Sequence, residues 1–275
     1  MTAGRYVLPL LSLLLLSALS AQAATWTTID VPGATWTYAT GINATGDIVG
    51  YYLAEGTGHG FLLKSGTIVT LDVPGALNTG ASSINDAGQI VGSFQSADGQ
   101  DHGFVFDGVN YTTLDFPGVS YTSAVGINNA EQIVGYYDDN KGHRHGFLWS
   151  NGSFVAIDVP GFRFTQLAGI NNRGFIVAAS RKKGVYRSFI RNPEGDFHNF
   201  GSVLQMTSIN DHKVIVGHDL AANEGFKFNL RTNRFADLQY PGERFTSCAG
   251  VNNGGQIVGE YYDDKTNYHA FLRTP

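Results

Sequence analysis

Two carboxylate pairs, Asp138-Asp139 and Asp263-Asp264, each follow two tyrosines, in Tyr136-Tyr137 and Tyr261-Tyr262. Such pairs could supply a general acid and a general base, provided two carboxyls with split pKa values meet at a defined separation, roughly 5–10 Å in glycosidases. The recurrence of Tyr-Tyr-Asp-Asp at two places favours common ancestry of the segments over a tuned pair. A second chemistry is sugar stacking. Trp36, Tyr38, Tyr121, Phe162, Phe164 and Phe245 lie in segments that also carry polar and acidic residues. Exposed rings beside hydrogen-bonding carboxylates are what the apolar faces and hydroxyls of a pyranose require; buried, the same rings would fill gaps between elements. His143 and His145 sit two apart, on one face of a strand, and could grip a metal, but no third or fourth ligand is placed by the sequence, so no metal site is assigned. A calcium ion in the acidic loops matches no known ligand spacing, and no cofactor is expected. Cys248 is the only cysteine and has no partnering base in its segment, so it reads as a small buried thiol at a position filled elsewhere by small residues. The chain contains no G-x-S-x-G, H-E-x-x-H, C-x-x-C, Walker or EF-hand pattern, which argues against enzymes of those families.

The elements that position these residues come from a chain of 275 residues with 18 Lys or Arg and 23 Asp or Glu, a net charge of -5. A mild acidic balance with 12% aromatics and 43% hydrophobic residues excludes a nucleic-acid binder and a disordered tail. Glycine supplies 35 residues while proline supplies only 8, which favours turn-rich β-structure over collagen-like or low-complexity chains. Arg5, the apolar run from Val7 to Leu19 and the Ala21-Gln22-Ala23 site predict a secretory signal over 1–23, removed to leave 24–275. No later stretch approaches the ~20 apolar residues of a membrane span. The expectation is an exported protein, extracellular or periplasmic, held without any intrachain disulfide.

An internal repeat decides the architecture. Asn43, Asn85, Asn128, Asn171, Asn210 and Asn252 each end a Gly/Ser-Ile/Val-Asn tripeptide and recur at intervals of 42, 43, 43, 39 and 42. Five residues after each comes Ile-Val, followed by Gly in every copy except at Ala178. His-Gly-Phe follows at 59–61, 102–104 and 145–147, and His-Ala-Phe at 269–271; then comes Asp-x-Pro-Gly, beginning at Asp30, Asp72, Asp115 and Asp158. Each copy reads as four short strands with a tight Asn-x-x-Gly turn after the first, although Glu131 and Lys213 break that turn pattern. Four antiparallel strands per 42 residues match a β-propeller blade. From the motif Phe to the motif Pro the spacing is thirteen in three complete copies, but the sixth copy ends at Pro275, four residues after Phe271. Joining Pro275 to Ala24 restores thirteen. The prediction is an all-β, six-bladed β-propeller of four-stranded blades forming one domain over 24–275, closed by an N-terminal strand that completes the last blade and covers its edge.

The Asn-x-x-Gly-x-Ile-Val-Gly, His-Gly/Ala-Phe and Ile-Asp-x-Pro-Gly motifs resemble the bacterial extracellular repeats of the HAF family, across essentially all of 24–275. That resemblance implies export and a repeat β-fold and carries no activity. Arg187 and Glu224 replace the motif His in copies four and five, against any role that needs His in every blade. The recurring His and Asp residues are therefore read as internal hydrogen-bond anchors and turn formers, and the motif Phe residues as packing between blades. Variation collects on the face of B–C loops and blade-to-blade crossovers. This face holds the six aromatics with Asp138, Asp139, Asp263 and Asp264 and is the expected binding face; Arg181, Lys182 and Lys183 are its basic exception. The expected function is a secreted, non-catalytic and monomeric binding module for a glycan or an extracellular surface protein. The alternative is a carboxylate-dependent hydrolase or lyase acting on an extracellular polysaccharide.

Overall fold

Each repeat folds into one four-stranded antiparallel sheet because each strand segment is too short for anything but a hairpin arm and is punctuated by Gly or Asn in the left-handed region. The computed structural model describes residues 23–263 and 267–275; the expected leader, apart from Ala23, lies outside the described residues, as does Asp264. Strand β1 (Thr25–Ile29) precedes the first complete blade, which contains β2 (Trp36–Ile42), β3 (Ile48–Ala54), β4 (Thr57–Lys64) and β5 (Thr67–Leu71). Blade 2 contains β6 (Asn78–Ile84), β7 (Ile90–Gln95), β8 (Asp101–Phe106) and β9 (Tyr111–Leu114). Blade 3 contains β10 (Thr122–Ile127), β11 (Ile133–Asp138), β12 (Arg144–Ser150) and β13 (Ser153–Ile157). Blade 4 contains β14 (Thr165–Ile170), β15 (Ile176–Lys182), β16 (Val185–Arg191) and a three-residue β17 (Phe197–Asn199). Blade 5 contains β18 (Leu204–Ile209), β19 (Val214–Asp219), β20 (Glu224–Asn229) and β21 (Arg234–Leu238). Blade 6 contains β22 (Phe245–Val251), β23 (Ile257–Tyr262) and β24 (Tyr268–Thr274), with β1 as its outer strand. The protein is a six-bladed β-propeller. Among the described residues no helix is long and apolar enough to cross a membrane.

The N-terminal strand completes the ring as the spacing predicts. Ile29 pairs with Ala270 and Thr28 with Phe271, the register in which Leu71 pairs with Gly60 and Thr70 with Phe61 inside blade 1. Asp30 then meets His269 at 3.0 Å, so an anchor that is local in blades 1 to 3 is made here across 239 residues. Trp26 packs on Phe271, with ring centroids 5.0 Å apart, and Thr28 bonds the hydroxyls of Tyr240 and Tyr261, tying β1 to blades 5 and 6.

The motif residues explain the core. Each of the six hydrophobic clusters spans two neighbouring blades: Phe61 of blade 1 packs with Val258 of blade 6, and Val134 of blade 3 with Leu167 of blade 4. Phe61, Phe104, Phe147, Phe226 and Phe271 are completely buried. The Gly of Ile-Val-Gly makes room for them, since a Cβ on Gly50 would lie 1.9 Å from the Tyr38 carbonyl and 2.8 Å from the Phe61 ring. Cys248 is buried in this layer, where its thiol pKa is pushed up, chiefly by burial. Leu167 and Met206 occupy the equivalent place in blades 4 and 5, so the position accepts large apolar side chains as well as the small ones expected.

The motif Asn does more than make a turn. Each side-chain amide donates to the backbone carbonyl of the motif Asn in the next blade: Asn43 to Asn85, Asn85 to Asn128, Asn128 to Asn171, Asn171 to Asn210, Asn210 to Asn252, and Asn252 back to Asn43. The ring of six bonds, 2.9–3.4 Å long, is closed. The side-chain oxygen of Asn128 meanwhile accepts from the backbone N–H groups of Ala130 and Gln132, both at 3.0 Å. Glu131 and Lys213, which interrupt the turn signature in sequence, hold φ of 58° and 60° and keep the glycine conformation of the other blades; Lys213 also sets its ammonium 4.0 Å from the centre of the Phe175 ring. Asn128→Ala removes four side-chain bonds, one of them to Gln132 Oε1, and should lower the unfolding free energy by about 3–4 kcal/mol. Asn253→Ala, on the exposed rim, should cost less than about 1 kcal/mol. Chemical denaturation of the two variants checks the contrast.

Candidate functional site

A cavity of about 600 Å³ runs along the propeller axis. It is lined by the innermost strands, each of which carries a one-residue bulge, at Thr40, Ser82, Val125, Ala168, Thr207 and Ala249. A bulge bends and twists its strand locally, and Thr40 and Thr207 use theirs to donate to carbonyls of the next blade, at Ala81 and Cys248. One mouth carries a second polar ring from the residue after each motif Asn. The backbone N–H of Ala44 donates to Asp86, that of Asp86 to Asn129, Asn129 to Asn172, Asn172 to Asp211 and Asp211 to Asn253. Ala44 has no side-chain acceptor to offer Asn253, so this outer ring is open at the seam between blades 6 and 1. Burial pushes the Asp211 carboxyl up, but hydrogen bonds from Asn172 and Asn253 outweigh it and hold the group below its ordinary value.

The loop face lies at the other end, and the same seam gathers three of the six expected aromatics there. Trp36 and Tyr38, two apart on β2, point the same way; Tyr268 at the start of β24 meets them with centroid distances of 6.2 and 5.2 Å, and Phe245 at 6.3 Å. Tyr51 stacks on Tyr38 at 4.7 Å, and Tyr262 lies 4.8 Å from Tyr268. His218 of blade 5 borders Phe245 at 5.0 Å; burial lowers its pKa, and its Nε2 is enclosed without a hydrogen-bond partner. Trp36 and Tyr51 remain 38% and 39% exposed. Beside this cluster Glu260 bonds Ser247, and its carboxyl is enclosed although the residue keeps some solvent contact; burial raises its pKa to about 7. Burial and then the Glu260 charge raise the Tyr51 hydroxyl to about 12.

A second cluster joins blades 3 and 4. The Arg144 guanidinium grips Asp138 through two bonds of 2.8 and 2.9 Å and lies over Tyr136, Tyr121 and Phe164, at 4.2, 5.3 and 5.4 Å from their centroids. Arg181 covers the same Phe164 at 5.2 Å. Bidentate pairing and ring stacking on one guanidinium fix its plane. Tyr121 and Phe164 are thus partly engaged by arginine. Phe162 stands apart from both clusters, packed against Phe189 at 5.3 Å and against the core between blades 3 and 4, so it acts as a gap-filling ring.

The expected carboxylates are dispersed. Asp138 is bound by Arg144, Asp139 faces His143 and His145, and Asp263, in the blade on the opposite side of the ring, bonds Asn267 and His269. Among the described residues none of these three lines the axial cavity. The recurring His residues are anchors as expected: His59, His102, His145 and His269 bond Asp72, Asp115, Asp158 and Asp30 at 2.8–3.0 Å, and each stacks on a ring of the adjacent strand. Glu260, Arg144, Tyr268 and the outer polar ring were not singled out by sequence. For the ring a signal existed, since Asp or Asn follows the motif Asn in five of the six copies.

No protein-family model matches the chain, and neither does any curated protein sequence. Its fold is that of several solved propellers. A catalytically inactive virginiamycin B lyase from Staphylococcus aureus with quinupristin aligns at 10% identity and a TM-score of 0.55, over 92% of this chain and 99% of that one. A putative gluconolactonase aligns at 10% identity and 0.55, over 92% and 93%. A putative TolB from Agrobacterium tumefaciens aligns at 11% identity and 0.59, over 74% and 81%. At these identities the likeness is one of architecture, and proteins of both catalytic and other kinds carry it.

The Glu260 environment sets a pH dependence. Folding raises its pKa from 4.5 to about 7, so the folded state binds the extra proton and stability falls as pH rises between those values. Glu260→Gln should therefore leave stability nearly unchanged at pH 4 and raise it by about 2 kcal/mol at pH 8, as read from denaturation midpoints at the two pH values.

Proposed function

We propose that this protein is an exported, monomeric, non-catalytic binding module of the HAF-repeat kind, and that its loop face takes a glycan through the aromatic cluster at the seam of blades 5, 6 and 1. One observation carries the reading: Trp36 and Tyr51 keep exposed ring surface next to Tyr268 and the Glu260 carboxyl. A sugar offers an apolar face for the rings and hydroxyls for the phenols, and preformed aromatic surface is ordered at little entropic cost. An extracellular surface protein is the other partner class this face would suit, since exposed Trp and Tyr are also the rings that anchor protein interfaces.

A second reading, a hydrolase or lyase acting on an extracellular polysaccharide, is favoured by Glu260 alone. A carboxyl that titrates near neutrality beside phenolic hydroxyls is suited to general acid work. Asp138 and Asp139 belong to blade 3, on the opposite side of the ring from Glu260 in blade 6, and do not pair with it.

A glycan array probed with the purified protein, with and without EDTA, tests the first reading. Selective binding that falls at least tenfold in Trp36→Ala and Tyr268→Ala is expected, and loss with EDTA would add a metal to the site. A blank array from folded protein would sink glycan recognition, and release of reducing ends that Glu260→Gln abolishes would establish the enzyme reading in its place.

A further inference from the structure

The B–C loop of blade 3 assembles three ligand-type groups. Asp139 Oδ2 lies 3.3 Å from His143 Nδ1 and 3.5 Å from His145 Nε2, and all three ligand atoms fall within 4.8 Å of one another. Among the described residues this is the one group of three or more such side chains. In a tetrahedral site with bonds of about 2.0–2.1 Å, ligand atoms stand about 3.3–3.4 Å apart, so the two contacts to Asp139 have the length of a coordination edge.

The surroundings hold each ligand in place. Asp139 Oδ1 accepts from the backbone N–H groups of Lys141 and His143, both at 2.8 Å, which turns Oδ2 towards the imidazoles. Asp158 takes His145 Nδ1 at 2.8 Å and thereby leaves Nε2 as the ligand atom, the carboxylate–imidazole arrangement that orients metal-bound histidines. Arg144, the nearest cation along the strand, is spent on Asp138 and turned into the aromatic cluster. The three side chains are 25–36% exposed, so solvent reaches the remaining coordination positions.

Blade 6 shows which of these residues the fold itself requires. There Asp263 Oδ1 accepts from the Asn267 backbone at 2.8 Å, Asn267 Nδ2 reaches Asp263 Oδ2 at 3.3 Å, and His269 Nε2 lies 3.3 Å from the same oxygen while its Nδ1 bonds Asp30. The described residues Asp263, Asn267 and His269 repeat the contacts of Asp139, His143 and His145, with Asn267 in place of His143. His145 and Asp139 thus have architectural counterparts, whereas His143 adds an imidazole that the loop does not need for its shape. We propose that Asp139, His143 and His145 form a three-ligand site for a divalent transition-metal ion of the zinc class, with Asp158 as positioning residue and at least one coordination position open to water or an exogenous ligand. Two imidazoles and one carboxylate select such an ion over calcium or magnesium, which prefer all-oxygen sets. The proposal is independent of glycan binding, since it uses none of the rings at the blade 6 seam.

Titration of the purified, EDTA-stripped protein with Zn²⁺ by calorimetry, and with Co²⁺ by visible absorption, tests the site. The expected result is one equivalent bound, with Co²⁺ bands of a low-coordinate nitrogen–oxygen site. His143→Asn, which places there the residue that Asn267 supplies in blade 6, should keep the native melting profile and bind Zn²⁺ at least tenfold more weakly. Asp158→Asn should weaken binding while retaining the one-to-one stoichiometry. No Zn²⁺ binding at 100 µM by the wild type, a concentration of about the weakest specific site worth assigning, would overturn the proposal, as would equal affinity in His143→Asn.

Discussion

Six asparagine side chains hold this molecule as a ring. Each carries one donor bond to the next blade and accepts within its own turn, so the same residue specifies the hairpin and the junction. A propeller has no connection across its axis except what the inner strands provide. Apolar packing between blades is non-directional and would tolerate a shift of one sheet against the next, whereas a buried amide bonded to a particular carbonyl would not. The repeat period follows from this constraint: every blade must return its inner strand to the same height, whatever its outer loops do. Blade 4, whose repeat interval of 39 residues falls short of the 43 and 42 on either side and whose outer strand is reduced to Phe197–Asn199, still places Asn171 and Asn210 in the ring.

Against that uniform frame, the residues with chemistry to offer are departures from the repeat. Glu260 stands where the other blades have Tyr51, Ser93, Tyr136, Ala179 and His218, as the strand pairings show. Ala44 opens the outer polar ring at one junction, Arg144 gathers three rings over a carboxylate, and His143 replaces the asparagine of blade 6. The seam where β1 closes the circle is also where the exposed Trp36 and Tyr51 and the half-buried Tyr268 collect near Glu260. Ring closure asks for rigidity there, and rigid aromatic surface binds at lower entropic cost than a mobile loop.

The architecture was legible because it is written six times. Strand number, blade closure and the role of the motif histidines all follow from spacing, and the register of Ile29 with Ala270 is the one that the thirteen-residue count requires. The site was legible only in part. Trp36, Tyr38 and Phe245 converge because two crossovers that are distant in sequence reach one seam; Phe162, of the same residue type as Phe245 in an equivalent crossover, turns into the core beside Phe189. Composition cannot separate those outcomes, since which way a ring turns depends on the room left by the neighbouring blade. Glu260 gave no signal either: a single acid in Ile-Val-Gly-Glu looks solvated until burial by the adjoining blades is known. Glu131 and Lys213 show the reverse case, where an apparent break in the pattern left the backbone unchanged.

The closed asparagine ring makes one prediction that no open stack of sheets shares: opening any junction opens the whole inner layer. Native-state hydrogen exchange reads this directly, because local and global opening differ in free energy. The inner-layer amides of Val49, Val91, Val134, Val177, Val216 and Val258, one in each blade, should exchange with a common free energy equal to that of global unfolding. A graded series, with blades 1 and 6 exchanging first and protection rising towards blades 3 and 4, would contradict the ring and describe a stack that frays from its seam.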